Sequence, residues 1–283
     1  ARGASIVIND LAPADDGSPA AEVVETITAA GGQAVAHSGD IATSAGADGL
    51  LETALSAFGG VDVVVNNAGV LRDRMLVNMS DDEWDSIMTV HLRGHFCVTR
   101  AFATYWRTEA KEGRRGDRVL VCTSSISGLK GVVGQVNYAT AKAGLATFAQ
   151  LCHRELHDNY GVRCYALAPG ARTRLTMSTP HAARTVGREV GEGEFDYWSP
   201  ANVAPVVAWL TAADCGAPSG SVLGVEGDTL EVFQGWHVTG KAVAGRTWTP
   251  EDFQRLEPWF AKAAAGSEPA PAQQIGEILE GRP

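Results

Sequence analysis

The sequence predicts an α/β fold with a doubly wound parallel sheet in a single domain. Short apolar, β-branched runs recur along the 283 residues, and stretches long enough for amphipathic helices separate them. The run VDVVVNN (61–67) is apolar almost throughout, as expected for a strand that helices cover on both faces. Strands and helices that alternate in this way require parallel pairing with crossover helices on both faces of one sheet.

Each predicted element follows from its own residues. A helix near 18–31 closes at Gly31-Gly32 and another near 44–58 closes at Gly59-Gly60, since glycine commonly ends a helix. Ser80 followed by three acidic residues is typical of a helix start, so we expect a long helix over 80–106. The predicted strands cover 6–9, 34–40, 61–69, 118–125 and 162–170, with a last strand or hairpin over 221–234, and the other predicted helices cover 137–161 and 248–265.

The bulk composition limits the classes of function. The net charge of −10, without a basic stripe, argues against a nucleic-acid partner. No apolar run is long enough to cross a bilayer, so no membrane partner is expected. Five scattered cysteines without CxxC spacing suit a reducing cytoplasm rather than a disulfide framework. We expect one main domain over 1–245, followed by a C-terminal helix and a loosely ordered tail over 246–283.

The sharpest chemical signal lies in TSSISGLKGVVGQVNYATAK (123–142). Tyr138 and Lys142 are four residues apart in a predicted helix and therefore share one face. A phenol with a pKa near 10 is a poor base at pH 7, and a neighbouring ammonium stabilises its phenolate. Ser125, at a strand end, is placed to hydrogen-bond the same substrate oxygen. The alternative is a surface tyrosine beside a solvated lysine.

With NNAG at 66–69 and Asp10, this region resembles the short-chain dehydrogenase/reductase family over about residues 1 to 235. The resemblance implies a Rossmann-type fold and a nicotinamide cofactor. It also implies that Tyr138 is the catalytic acid/base and that Ser125, thirteen residues earlier, orients the substrate oxygen. Lys142 would then lower the pKa of the tyrosine and bind the nicotinamide ribose.

The same resemblance assigns further cofactor contacts. Asn66, Ala68 and Gly69 would shape the adenine and ribose pocket, and Asn66 would also stabilise the sheet. Asp40 and Ile41 would contact the adenine ring. The stretch that would meet the nicotinamide carboxamide contains Pro169, Gly170, Arg172 and Thr173. The alternatives are that these glycines only form turns and that Asp40 only caps the next helix.

Asp10 ends its strand where a dinucleotide-binding unit places an acidic residue against the adenosine ribose. A carboxylate accepts hydrogen bonds from a ribose diol and repels a 2′-phosphate, and no Arg or Lys follows in NDLAPADDG. The sequence therefore predicts NAD rather than NADP. We also expect a first strand and a Gly-rich phosphate loop, about 25–35 residues, upstream of Ala1. The alternative is a decayed homologue that cannot bind NAD.

One position departs from the family pattern. Many members have an asparagine before the catalytic serine, where VHLRGHF places His91. His91 is either a helix histidine bonded to a nearby carbonyl or part of a proton relay from Lys142 to water. VHLRG, LRDRM (71–75) and VINDL resemble one branch, the (3R)-hydroxyacyl-CoA dehydrogenase domain of type 2 multifunctional enzymes, also called 17β-hydroxysteroid dehydrogenase type 4.

This resemblance predicts oxidation of a (3R)-3-hydroxyacyl-CoA to the 3-oxoacyl-CoA. The alternatives are a hydroxysteroid dehydrogenase, a 3-oxoacyl-thioester reductase, or a non-catalytic subunit. Residues 171–200, with four large side chains, form either a mobile apolar lid or an ordinarily packed loop; the side chains are Met177, Phe195, Tyr197 and Trp198. The family also implies a homodimer or homotetramer through helices near 84–108 and 138–158.

A metal site is the last possibility that the sequence raises. His153 and His157 in HRELH are four residues apart and would need a third ligand to bind zinc. The pattern is not HExxH, and family members usually pack this helix in a subunit interface. We therefore expect no metal.

Overall fold

The structure is a computed structural model that describes residues 3–12, 17–187, 190–191, 193–265 and 272–274. The chain separates into two compact units, Ala1–Phe233 and Gln234–Pro283. The predicted α/β class with a parallel central sheet is confirmed. The predicted domain boundary near residue 245 stays a prediction.

The first unit alternates strands and helices. Its strands are β1 (Ser5–Asp10), β2 (Gln33–Ser38), β3 (Val63–Asn66), β4 (Arg118–Thr123), β5 (Val162–Gly170), β6 (Val222–Glu226) and β7 (Thr229–Phe233). Its helices are α1 (Pro19–Ala29), α2 (Ser44–Phe58), α3 (Asp81–Ile87), α4 (Gly94–Lys111), α5 (Ile126–Lys130), α6 (Val136–Tyr160), α7 (Arg174–Met177), α8 (Pro180–Val186) and α9 (Ala204–Leu210). Short 3₁₀ turns cover Leu76–Asn78 and Pro200–Asn202, and a π-helical segment covers Met88–Arg93.

The larger sheet has the order β3-β4-β5-β6-β7 and forms the core. Its first four strands are parallel, and β6 and β7 form the antiparallel hairpin that the sequence allowed. Val119 to Cys122 of β4 are fully buried because helices cover both faces. Phe102 and Trp106 of α4 pack on one face together with α6, and Leu210 of α9 packs on the other.

β1 and β2 form a separate parallel pair, with Val7 opposite Val35. Within the described residues, no strand pairs with the edge of β1 away from β2 or with the edge of β3 away from β4. The expectation that the apolar run of β3 is buried on both faces is therefore wrong: Val64 is buried, whereas Val63 and Val65 are 37% and 41% exposed. The upstream strand expected between β1 and β3 stays a prediction.

The predicted helix over 80–106 exists but is not regular. Ser80 caps α3 through a capping box, its hydroxyl accepting from the Glu83 backbone N–H while the Glu83 carboxylate accepts from the Ser80 N–H. The helix then widens into the π-helical segment before α4 begins. Such widening is common at functional sites, and here the segment contains His91.

The second unit contains β8 (Lys241–Val243), α10 (Pro250–Ala264) and β9 (Ala272–Gln274), with β8 and β9 parallel. The sequence predicted α10, which Thr249 caps in a capping box with Asp252, but it did not predict β9. Most of the tail that was expected to be loosely ordered lies outside the described residues. None of the helices in the described part of the chain is long and apolar enough to cross a membrane.

Candidate active site

Tyr138 and Lys142 converge beside the carboxyl end of β4. Lys142 is 2% exposed, and its Nζ lies 5.6 Å from the centre of the Tyr138 ring. The ammonium donates a hydrogen bond to the Thr123 carbonyl oxygen at 2.7 Å, which fixes the lysine under the end of the strand. Burial lowers the pKa of Lys142 to about 7, because the charged form loses its hydration.

Ser125 stands at the same strand end, where it caps α5. Its Oγ accepts from the Ser127 N–H at 3.2 Å. Burial raises the pKa of the Tyr138 phenol, the Ser125 hydroxyl acts in the opposite direction, and the Asp73 carboxylate adds to the rise. Burial is the largest of these influences, because the phenolate loses its hydration. The lowering of the Tyr138 pKa by Lys142 stays a prediction.

His91 packs against Tyr138 from the π-helical segment. Its ring is fully buried and meets the Tyr138 ring edge-on, with centroids 5.2 Å apart. Nε2 lies 2.9 Å from the Val70 carbonyl oxygen, the arrangement expected if that nitrogen carries the proton. Burial lowers the His91 pKa to about 4, with the Lys142 charge as the second cause, so the ring is neutral at pH 7. The structure thus shows the backbone-bonded histidine, and the proton-relay role stays a prediction.

The sequence missed a residue that positions Tyr138, namely the asparagine just before it. The Asn137 amide donates to the Arg72 and Glu83 carbonyl oxygens at 3.0 Å, and its oxygen accepts from the Tyr138 N–H at 2.8 Å. It is fully buried. Its place in the motif was visible, but its partners come from a distant segment of the chain.

A second histidine was also missed. His95, four residues after His91, is fully buried. Burial lowers its pKa to about 3, and the nearby charge of Lys142 acts in the same direction. The spacing in HLRGH was the signal that could have drawn attention to it.

The NNAG loop lies next to this group. The buried Asn66 amide donates to Thr99 Oγ1 at 3.0 Å, which ties β3 to α4. A Cβ on Gly69 would come within 2.6 Å of the His91 ring, so only glycine fits this approach. Ala68 is exposed. Asn66 thus has the sheet-stabilising contact that was expected, while the cofactor roles of all three residues stay predictions.

The stretch after β5 is held by contacts within the protein. The Arg172 guanidinium donates to the Val186 carbonyl oxygen at 3.1 Å and pairs with the Asp196 carboxylate. Thr173 caps α7. A Cβ on Gly170 would lie 2.5 Å from the Glu226 side chain, and Pro169 precedes it on the half-buried end of β5. Arg172 therefore clamps this loop, and its contact with a cofactor stays a prediction.

The aromatic residues expected in a lid pack together edge to face. Tyr197 meets Trp198 and Phe195 edge-on, at centroid distances of 4.9 and 6.5 Å. Phe195 and Met177 are 59% and 44% exposed. The Tyr197 ring also lies against Gly227, where a Cβ would approach within 2.2 Å. Tyr197 and Trp198 are thus packed within the loop, as the alternative to a lid expected. The mobility of the segment stays a prediction.

The residues assigned to the adenosine half lie at the ends of the smaller sheet. Asp10 Oδ1 accepts from the Ala12 N–H at 3.0 Å. Asp40 Oδ1 accepts from the Ala42 N–H at 2.9 Å, while Thr43 is the cap of α2. Ile41 packs towards Gly94 of α4. Asp40 thus stabilises a turn rather than capping the helix directly.

No cluster of three or more His, Cys, Asp or Glu side chains in the described part of the chain could hold a metal ion. His153 and His157 do lie close, with ring centres 5.0 Å apart. Each has a polar side-chain partner of its own: His153 Nδ1 is 2.9 Å from Ser219 Oγ, and His157 Nδ1 is 3.0 Å from Asp158 Oδ1.

The site therefore combines a phenol, a hydroxyl and an ammonium at the carboxyl end of a parallel sheet. Comparison with known proteins identifies the class. The family model described as short chain dehydrogenase matches residues 2–184. The chain belongs to the short chain dehydrogenase family, whose members are oxidoreductases that act on CH–OH groups of small molecules with a nicotinamide cofactor.

Particular relatives agree with this class. The chain is 42% identical over 264 residues to the hydroxyacyl-CoA dehydrogenase ChsB1 of Mycobacterium tuberculosis, covering 92% of this chain and 81% of the relative. It is 37% identical to the mouse peroxisomal multifunctional enzyme type 2, covering 83% of this chain but only 29% of that protein. A crystal structure of a short chain dehydrogenase from Mycobacterium avium matches with a TM-score of 0.81 and 41% identity, covering 95% of this chain and 89% of that one.

Proposed function

We propose that the protein is an NAD-dependent dehydrogenase that interconverts a (3R)-3-hydroxyacyl-CoA and the 3-oxoacyl-CoA. The convergence of Tyr138, Ser125 and Lys142 at the end of β4 carries the chemical part of this proposal. The substrate class follows from the hydroxyacyl-CoA dehydrogenase to which the chain is similar over most of both lengths. Tyr138 takes the hydroxyl proton, and Ser125 donates a hydrogen bond to the developing oxyanion.

The residues present fit a nicotinamide cofactor. Lys142 spends one of its donors on the Thr123 carbonyl, and an ammonium has three, so two remain for ribose hydroxyls. The bound nicotinamide would supply the hydride acceptor. When the Lys142 amine is protonated and bonded to the ribose, its positive charge lies next to the reacting oxygens. This charge stabilises the phenolate form of Tyr138.

Tyr138→Phe tests the chemical part. We expect the rate of NADH formation, followed at 340 nm with a (3R)-3-hydroxyacyl-CoA, to fall about 10²–10⁴-fold, the usual contribution of a general acid or base. Tyr160→Phe is the matched control, because Tyr160 ends the same helix and removal of its hydroxyl leaves the site intact. Activity of Tyr138→Phe within a few-fold of that of Tyr160→Phe would contradict the role of Tyr138.

The substrate class is tested with a panel of (3R)- and (3S)-3-hydroxyacyl-CoA esters and secondary steroid alcohols. Turnover of the (3R) thioesters supports the proposal. Turnover of steroid alcohols alone assigns the protein to the hydroxysteroid dehydrogenases. No turnover, together with no NAD binding, identifies a non-catalytic member of the family.

We propose NAD over NADP because of Asp10. Its Oδ1 bonds the Ala12 N–H, and within the described residues Oδ2 has no hydrogen bond, so that oxygen suits a ribose hydroxyl. Asp10→Ser removes the repulsion of a 2′-phosphate. The ratio of kcat/KM for NADP to that for NAD should rise about tenfold or more, which corresponds to about 1.4 kcal/mol. An unchanged ratio would remove Asp10 from the cofactor site.

The assembly remains a prediction. A homodimer or homotetramer through helices near 84–108 and 138–158 agrees with exposed apolar side chains on these helices, Phe96 and Leu151 being 44% and 48% exposed. Light scattering after gel filtration measures the mass directly. Cytoplasmic location, and the lack of nucleic-acid or membrane partners, are likewise proposals from the sequence.

A further inference from the structure

The segment Leu71–Met75 is fastened along the start of the helix that carries Tyr138. The Arg74 N–H donates to the Gly134 carbonyl oxygen at 2.8 Å, and Arg74 forms a β-bridge with Gln135. The Asn137 amide holds the Arg72 carbonyl from the same side. The backbone of this segment is therefore fixed on both sides of Asp73.

The side chain of Asp73 is fixed as well. Gln135, which is 9% exposed and precedes α6, donates from Nε2 to Asp73 Oδ2 at 2.8 Å. Gln135 lies three residues before Tyr138, close to one turn of helix. A half-buried carboxylate is thus held by a neutral donor beside the start of the helix that carries Tyr138.

Few charged groups face Tyr138 in the described residues. His91 packs on it from the π-helical segment and is neutral at pH 7, since burial lowers its pKa to about 4. Lys142 faces it from its own helix, and Ser125 contributes a neutral hydroxyl from the end of β4. Asp73 contributes negative charge from the loop after β3, and its effect raises the pKa of the phenol.

We propose that Asp73, held in place by Gln135, is a positioning residue that keeps the proton on Tyr138 between turnovers. This inference rests on the proposed function, in which Tyr138 exchanges that proton with the substrate oxygen. A negative charge beside the phenol disfavours the phenolate. Asp73 therefore favours the phenol form of Tyr138, which donates the proton in ketone reduction. The phenolate form, which is needed for alcohol oxidation, then appears only at higher pH.

Asp73→Asn tests the inference, because it removes the charge while an amide oxygen can still accept from Gln135. The rise of kcat/KM with pH in alcohol oxidation should move about 0.5–1 unit towards lower pH. The fall of kcat/KM with pH in ketone reduction should move in the same direction. Asp73→Glu, which keeps the charge, should restore the wild-type profile, and Asp73→Ser repeats the charge removal if the asparagine variant does not fold.

Asp82→Asn is the matched control, since Asp82 is an exposed carboxylate in the first turn of α3. Its profiles should coincide with those of the wild type. Gln135→Met removes the donor but keeps the carboxylate, so it should lower kcat more than it shifts the profile. If Asp73→Asn lowers kcat at every pH without moving either profile, Asp73 is only a structural anchor and the inference is wrong.

Tyr138→Phe separates this failure from failure of the proposed function. If that variant keeps wild-type activity and the wild-type pH dependence, Tyr138 is not the acid/base, and the proposed function fails first. If it is inactive while Asp73→Asn has an unshifted profile, the function stands and only the role of Asp73 is lost.

Discussion

The two sheets of the first unit contain similar apolar strands but bury them very differently. β4 is buried from Arg118 to Cys122, whereas β1 is half-buried from Ile6 to Asp10. The groups proposed to carry the chemistry come from the ends of β4 and from α6, which packs on it. The residue proposed to choose the cofactor, Asp10, comes from the smaller sheet. The proposed chemistry thus lies on the buried part of the first unit, and the proposed cofactor selection lies on the more exposed part.

This difference predicts that changes near β4 cost both stability and activity. The largest effect is expected for Gly128→Ala, where a Cβ would lie 2.5 Å from the Ala143 nitrogen and 2.7 Å from the Lys142 carbonyl carbon. These are backbone atoms of α6, so the helix itself would have to move. We expect a loss of about 3 kcal/mol in the free energy of unfolding by urea titration, together with loss of activity.

Gly216→Ala is the control for that substitution. A Cβ at Gly216 meets nothing within 4 Å and its φ is not positive, so the change should stay within about 0.5 kcal/mol. If Gly128→Ala unfolds at the same urea concentration as Gly216→Ala, then α5 and α6 are not held as closely in solution as the structure places them.

A matched pair of valines compares the sheets directly. Val121 in β4 is fully buried, and Val7 in β1 is half-buried. Val121→Ala should cost about 2 kcal/mol through lost burial and an unfilled cavity, and Val7→Ala about 1 kcal/mol or less. Equal costs would mean that something covers the exposed surface of β1 in solution.

Much of the larger sheet, its helices and the proposed site could be predicted from the sequence, because local sequence patterns determine these elements. The predicted helix over 44–58 and the strand over 162–170 coincide with α2 and β5. Tyr138 and Lys142 share a face because the helical repeat requires it. Ser125 could be placed at a strand end because its strand is a continuous apolar run.

What the sequence missed depends on contacts between distant segments. The π-helical segment has no local signature, and it brings the His91 ring onto Tyr138. Asn137 and Asp73 have hydrogen-bond partners more than fifty positions away in the sequence. The exposure of Val63 and Val65 depends on which strand and helix cover β3. An apolar run in the sequence does not predict which elements will cover it.

The smallest expected change in the free energy of unfolding concerns Lys142. Its sign is opposite to that of the other changes, because removing this residue should stabilise the protein. Burial lowers its pKa in the folded state to about 7, against an ordinary value near 10.5. Between these values the unfolded chain binds a proton that the native state has released. The free energy of unfolding attributable to this group therefore rises with pH from about 7 upwards, by at most about 1.4 kcal/mol per pH unit.

Lys142→Met should remove that slope and, near pH 7, unfold at a higher urea concentration than the wild type while having lost its activity. The measurement is the difference between the two proteins from pH 7 to 8.5. Above that range the buried thiols of Cys122 and Cys164, whose pKa values burial raises, add a slope of opposite sign in both proteins. His91 and His95, which also face the ammonium, are neutral throughout the range.

If Lys142→Met is less stable than the wild type and keeps the slope, the hydrogen bond to the Thr123 carbonyl outweighs the cost of burying the ammonium. The lysine would then contribute to the stability of the fold as well as to the proposed chemistry.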